Sequence, residues 1–325
     1  MSVLKKVLLG FALLLIVVVF SAMLYMKMAL PDVGDAPAMK VVATPEKIER
    51  GRYLANHVTI CIDCHSKRDW SKFSGPIVPG SIGMGGELFD QKFGFPGSYY
   101  SKNITPSGIS DYTDGELYRA ITTGVNKKGE AMFPVMPFHN YGKLDPEDVK
   151  AIIAYVRTLA PIENKIPESS SDFPMNFIIN TIPQKAKPSK IPDPSNTLAY
   201  GNYLATAASC VDCHTQFEKG EFVAGMEFAG GREFPFPDGS VVRSANITPH
   251  ASGMGQWSKE SFIAMFKARE DISKNPAGIK PGEYNSIMPW TMFAGMKNED
   301  LAAIYDYLKT LKPIDNKVEK FTKGG

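Results

Sequence analysis

The longest apolar stretch of the chain lies at its start. Lys5 and Lys6 precede a run from Val7 to Met26 that carries no charge and is interrupted only by Gly10 and Ser21. About twenty apolar residues suffice to cross a bilayer as a helix, so residues 1–30 are predicted to be a single-pass transmembrane anchor. A cleaved signal has a shorter apolar core with a small-residue site close behind it. Here Tyr25, Met26, Lys27 and Met28 follow the core, and the nearest candidate, Ala36-Pro-Ala38, lies well downstream and contains proline. The two leading lysines place the N-terminus in the cytoplasm by the positive-inside rule. Everything after residue 30 is then expected on the periplasmic side of the cytoplasmic membrane.

Beyond the anchor the apolar positions recur at helical spacing. Thr44-Pro45-Glu46 is a helix start, with threonine as N-cap and proline in the first turn, and its helix runs toward Cys61. Thr113-Asp114-Gly115-Glu116 is a capping box, after which Leu117, Ala120 and Ile121 fall on one face. Asp145-Pro146-Glu147-Asp148 opens a helix carrying Val149, Ile152, Ile153, Val156 and Leu159, which Pro161 stops. The same pieces return from Ser195, Ser258 and Asn298. The Gly-rich, aromatic loops near residues 75–100 and 220–243 have room for a small hairpin. No extended sheet is predicted, and the fold class is mainly α.

The recurrence is a duplication. Gly51-Arg-Tyr53-Leu-Ala returns as Gly201-Asn-Tyr203-Leu-Ala, Gly85-Gly86 as Gly230-Gly231, and Asn103-Ile-Thr-Pro106 as Asn246-Ile-Thr-Pro249. Val135-Met136-Pro137-Phe138 matches Ile287-Met288-Pro289-Trp290, and Tyr155-Val-Arg-Thr-Leu-Ala-Pro161-Ile matches Tyr307-Leu-Lys-Thr-Leu-Lys-Pro313-Ile. Five matches in one order predict two copies of one domain, at 31–162 and 195–325. The stretch 163–194 between them is proline-rich and stiff. Its centre, Phe173-Pro-Met-Asn-Phe-Ile-Ile179, is too apolar for a free linker, and the segment is expected to lie against one or both domains and fix their relative orientation.

All four cysteines fall in two pentapeptides, Cys61-Ile-Asp-Cys64-His65 and Cys210-Val-Asp-Cys213-His214. C-x-x-C-H is the attachment motif of c-type haem. Two thiols one helical turn apart bond the two vinyl-derived carbons of the porphyrin, and the adjacent histidine lies where its imidazole reaches iron. Zinc ribbons keep their pairs roughly 15–20 residues apart, far closer than these. A thioredoxin-like pair needs no histidine, and cysteines this close rarely close an unstrained disulfide. Two covalently bound haem c groups are the expectation, with His65 and His214 as iron ligands.

The sixth ligand separates an electron carrier from a haem that binds substrate or gas. The first copy offers Met132, Met136 and His139. Aligned on Met-Pro, Met136 faces Met288, whereas His139 faces Thr291 and Met132 faces Tyr284. Only Met136 and Met288 recur, so these are the expected axial ligands. Proline after the methionine biases it to an extended conformation and removes a donor. A thioether favours ferrous iron and raises the potential relative to bis-histidine. The remaining candidates read structurally. His57 is expected on the helix surface or against a propionate; Asn103 and Asn246 cap their own turns or donate to a propionate; Tyr53 and Tyr203 pack against Tyr155 and Tyr307.

Charge adds little. Lys and Arg number 36 against 34 Asp and Glu, a net +2 with both signs interspersed, which leaves no nucleic-acid stripe. The lysines from Lys309 to Lys323 read as a solvated helix end.

Taken together, Asn-Ile-Thr-Pro, the acidic helix start, Met-Pro and the Tyr-containing helix ending in Leu-x-Pro-Ile resemble the cytochrome c subunits of membrane-bound alcohol and gluconate-type dehydrogenases. The Phe173-Pro-Met-Asn segment is similar to the stretch between domains in that family. The resemblance implies two tandem class I cytochrome c-like domains, with Cys61, Cys64, His65 and Met136 serving one haem and Cys210, Cys213, His214 and Met288 the other. Those subunits usually hold three haems and often a C-terminal membrane segment, whereas this chain has two motifs and an N-terminal anchor. The implied role is electron transfer, without chemistry of its own, from a membrane dehydrogenase or quinol-oxidising complex to a terminal oxidase or soluble carrier. The alternatives are a dihaem enzyme of peroxidase or thiosulfate dehydrogenase type, which needs an open haem position, and a gas sensor or assembly scaffold.

Overall fold

The computed structural model describes residues 2–273 and 275–324. Val3–Met28 is one helix of 26 residues with no buried side chain, about 39 Å long at 1.5 Å per residue. It is long and apolar enough to cross a membrane, with a mean hydropathy of 3.0; an anchor and a signal sequence both meet that description.

The rest is mainly helical, built as two halves with matching elements. In the first, Pro45–Tyr53 starts at Thr44, whose Oγ1 accepts the Lys47 N–H at 3.2 Å. It continues through a wider π turn, Leu54–Val58, before the short Cys61–Cys64 helix. Asp114–Thr123 carries both bonds of the predicted capping box between Thr113 and Glu116. Pro146–Val156 closes the half, capped by Asp145. The second half repeats these pieces as Thr197–Ala207, Cys210–Cys213, Lys259–Lys267 and Asn298–Lys309. One start shifts: Asn196, not Ser195, caps Thr197–Ala207, its side-chain oxygen accepting the Ala199 N–H at 3.3 Å.

Glycine sets the crossing of first and last helices in each half. A Cβ on Gly51 would stand 1.8 Å from the Ala151 carbonyl oxygen, and one on Gly201 1.9 Å from that of Ala303. The backbones therefore touch. Tyr53 and Tyr203 do not join that crossing, contrary to expectation. Two residues along a helix is a rotation of about 200°, so a tyrosine two positions after the contact glycine points away from the partner helix.

Those tyrosines instead tie the halves together. The Tyr203 hydroxyl donates to Asp148 at 2.7 Å and accepts the Asp145 N–H at 3.2 Å. Reciprocally, the Tyr53 hydroxyl donates to Asp300 and accepts the Lys297 N–H at 3.0 Å. Each half thus inserts the same tyrosine into the start of the other's last helix, as residues do about a twofold axis. Both carboxylates are buried, and each has a second donor from the same position in the repeat. Arg50 grips Asp148 through two bonds of 2.8 and 2.7 Å, and Tyr200 reaches Asp300 at 3.0 Å. Burial first, then the neighbouring carboxylate, pushes both Tyr53 and Tyr203 far above the usual phenol range, so they remain neutral donors.

Both loops hold small antiparallel pairs, Leu88–Phe89 with Gly97–Tyr100 and Glu233–Pro235 with Val241–Arg243. Each gains a third strand from beyond its half's last helix, Ser170–Ser171 or Phe321–Thr322. The proline-rich segment divides between two partners. Its flanks bind the first half: the Lys187 N–H donates to Gly142 O at 2.9 Å and the Ile191 N–H to Asp145 at 3.0 Å. Its apolar centre, the short helix Met175–Ile178, lies instead against the N-terminal helix, with Phe173 75% exposed.

Candidate haem-attachment sites

Each Cys-x-x-Cys-His turn is introduced by a non-glycine residue in the left-handed region, Ile60 at φ 48° and Ser209 at φ 53°. That conformation costs about 1 kcal/mol, and its recurrence in both halves marks it as part of the site. It starts a single helical turn that puts cysteines i and i+3 on one face. All four thiols are free. Burial pushes Cys64 and Cys210 up to about 12, with Asp63 and Cys213 respectively as further causes. Reactive redox pairs instead have lowered thiol pKa values, so these turns are not built as thioredoxin-like sites.

The histidines are oriented identically. His65 Nδ1 lies 2.6 Å from the Lys102 carbonyl and His214 Nδ1 2.7 Å from that of Ala245. With Nδ1–H as donor, Nε2 keeps its lone pair for a metal. Burial lowers both imidazole pKa values, opposed by the same carbonyl bond, so both rings are held neutral, the form that binds iron. Half-buried rings, fixed tautomers and free paired thiols fit a covalently attached haem.

Those carbonyls immediately precede Asn103 and Asn246, which explains the repeated Asn-Ile-Thr-Pro. Asn103 Oδ1 accepts from the Thr105 N–H and hydroxyl at 2.9 and 2.7 Å, while its amide donates to Ile162 O at 2.7 Å. Asn246 repeats the pattern with Thr248 and Ile314. The asparagines therefore cap their turns and lock them to the chain leaving the last helix. The Gly-Gly repeat closes the other side: Gly85 N donates to His65 O at 2.8 Å and Gly230 N to His214 O at 2.6 Å. Sequence reasoning missed Asn164 and Asn316, whose amides hold the Met84 and Ala229 carbonyls at 2.9 and 3.0 Å. The signal was present, since Ile162-Glu-Asn-Lys recurs as Ile314-Asp-Asn-Lys.

Both Met-Pro sequences form one tight turn. Pro137 has φ −78°, ψ 58° and Pro289 φ −78°, ψ 65°, the inverse γ-turn. Across it the Phe138 N–H donates to Met136 O and the Trp290 N–H to Met288 O, both at 2.8 Å. Proline presets the φ of the central residue. Met136 and Met288 are half-buried and packed on the core. His139 has another occupation: its Nε2 lies 3.0 Å from Asp212, which also takes the Asn140 amide at 3.0 Å. His57 likewise faces the other half, with Nδ1 2.9 Å from Met292 O.

These contacts bring the two motifs together. The Tyr141 hydroxyl donates to Thr59 O at 2.7 Å beside Cys61. Burial first, then Cys61, Cys64, Asp212 and Cys213, push its pKa well up. The short helix Phe138–Tyr141 therefore bonds to the chain beside the first attachment turn through Tyr141 and to Asp212 inside the second through Asn140 and His139.

Comparison with known proteins agrees with this geometry. The cytochrome c family model matches residues 198–312. The chain is similar to the cytochrome c subunit of a quinone-dependent alcohol dehydrogenase from Komagataeibacter europaeus, 26% identical over 91% of this chain and 62% of that subunit. It is 27% identical to the gluconate 2-dehydrogenase cytochrome c subunit of Pantoea cypripedii, over 85% and 62%. A dihaem c-type cytochrome of Cereibacter sphaeroides is 26% identical over 78% of this chain and 83% of its own length. The chain thus spans about 62% of the length of the dehydrogenase subunits it matches. Its homologues are cytochrome c subunits of dehydrogenases, and the stretch that matches the cytochrome c model includes the second Cys-x-x-Cys-His turn.

Proposed function

We propose that the chain is a membrane-tethered dihaem cytochrome of two tandem class I cytochrome c-like domains. It carries single electrons between a membrane dehydrogenase or quinol-oxidising complex and a terminal oxidase or soluble carrier. In this reading Cys61 and Cys64 bind one haem through thioethers, and Cys210 and Cys213 the other. His65 and His214 would offer Nε2 to iron, and Met136 and Met288 would each offer a thioether sulfur. A haem so bound takes up and gives up one electron at its iron. The chain's own groups supply orientation: the Lys102 and Ala245 carbonyls hold the imidazoles, and the γ-turns hold the sulfurs.

The observation that carries the reading is that one short helix, Phe138–Tyr141, bonds beside the first attachment turn at Thr59 and inside the second at Asp212, so both turns flank one element. The repeated Met-Pro turn supports conduction over an enzymatic reading, because it supplies a sixth ligand in both halves. The packing of Met175–Ile178 on the N-terminal helix supports a retained anchor, with the haem domains on the periplasmic side. The names of the relatives support a dehydrogenase as electron donor.

Gentle solubilisation of membranes followed by identification of what co-purifies tests this. A flavin- or quinone-cofactor dehydrogenase is expected to accompany the chain, and its substrate to reduce both haems. Turnover of peroxide by the purified chain, with no substrate-driven reduction, contradicts it.

A further inference from the structure

Met288 is held from its own half, through its N–H to Ser286 Oγ at 3.2 Å, and also from the other. The loop after the first Cys-x-x-Cys-His motif crosses to the second half. There the Phe73 N–H donates to Ala277 O and the Ile279 N–H to Ser71 O, at 2.9 and 2.8 Å. At its tip Ser74 is fully buried and has φ 63°. Its hydroxyl donates to the Met288 carbonyl at 2.6 Å and accepts the Trp290 N–H at 3.3 Å, so it bridges both ends of the Met288-Pro-Trp γ-turn. Asn285 takes the Ser74 N–H at 2.9 Å and returns its amide to Trp70 O at 3.2 Å. Behind the tip, Arg68 donates to Ser74 O at 2.8 Å and Gly75 O at 2.9 Å, and pairs with Asp63 at 3.0 Å. Asp63 lies inside Cys61-Ile-Asp-Cys64. A continuous strut thus runs from the first attachment turn to the second methionine loop. The reverse arrangement is absent among the described residues: the Met136 carbonyl takes the Phe138 N–H, with no hydrogen bond from the second half.

We propose that Ser74 is a positioning residue for Met288, so that the first half, through the Asp63–Arg68–Ser74 strut, sets the sulfur–iron bond and hence the potential of the second haem. This rests on Met288 being that haem's axial ligand. The asymmetry gives two haems with the same ligand set a structural basis for different potentials, which a directional electron path uses. Two halves copied from one ancestor would otherwise start out equivalent.

The test uses the full chain. Ser74→Gly removes the hydroxyl where φ 63° suits glycine, so the fold is retained; Ser74→Ala is the second variant. Each is titrated with cyanide, which displaces a methionine ligand, and poised electrochemically. The expected result is about fivefold tighter apparent cyanide binding at one haem, the change for loss of one net hydrogen bond, with a lower midpoint potential for that haem alone. Both haems unchanged, or both shifted equally, overturns the proposal. Met288→Ala is measured alongside. If it leaves the far-red Met–iron band at full intensity, the ligand assignment has failed. If it removes half the band while both Ser74 variants match the parent, only the strut has failed.

Discussion

Replacing Gly51 or Gly201 by alanine is expected to be strongly destabilising. The new methyl carbon would stand 1.8 Å from the Ala151 carbonyl oxygen or 1.9 Å from that of Ala303, less than half an ordinary contact distance. The obstacle is backbone rather than a flexible side-chain end, so a helix must move. Overpacking of this kind costs about 3 kcal/mol, a large share of the roughly 5–15 kcal/mol that holds a folded protein together. A melting temperature lower by roughly 10 °C follows. The shift also spreads the first and last helices, loosening the attachment turn that the first helix feeds. Thermal melts followed by far-ultraviolet circular dichroism check this, with Gly278→Ala as control because nothing lies within 4 Å of its added carbon. A Gly51→Ala melt equal to the control would contradict the crossing.

Met136→Ala is expected to remove half of the far-red Met–iron charge-transfer absorption and to lower one of the two midpoint potentials, leaving the other haem as it was. A thioether raises the potential relative to nitrogen ligands, so its loss moves the midpoint down. Met288→Ala takes the other half of the band. His139→Ala keeps the band intact, because its Nε2 serves Asp212. A band at full intensity after Met136→Ala would contradict the assignment.

What could be read from the chain alone divides along a physical line. The N-terminal helix, the capping box at Thr113 and Glu116, the Cys-x-x-Cys-His turns and the repeated Met-Pro each rest on residues close in sequence, where spacing determines geometry. Repetition then selected among candidates, as with Met136 over His139. Illegible were the features made by surfaces meeting across the fold. The exchange of Tyr53 and Tyr203 between halves depends on which way one side chain leaves a helix. Ser74 adopts a left-handed conformation that its sequence does not announce. The strands Ser170–Ser171 and Phe321–Thr322 are two residues each, too short for alternation. The apolar centre near Phe177 could be recognised as needing a partner, but the partner, the N-terminal helix, could not be named. Asn164 and Asn316 fall between these classes, because their repeat was visible and their task was not.

The proposed function requires two haems attached to one chain. Mass spectrometry of the intact chain purified from membranes tests this directly, since thioether bonds survive denaturation. The predicted mass is the chain plus two haem groups, with Cys61→Ala combined with Cys64→Ala leaving one. A mass carrying a single haem, or a second haem lost on denaturation, would contradict it.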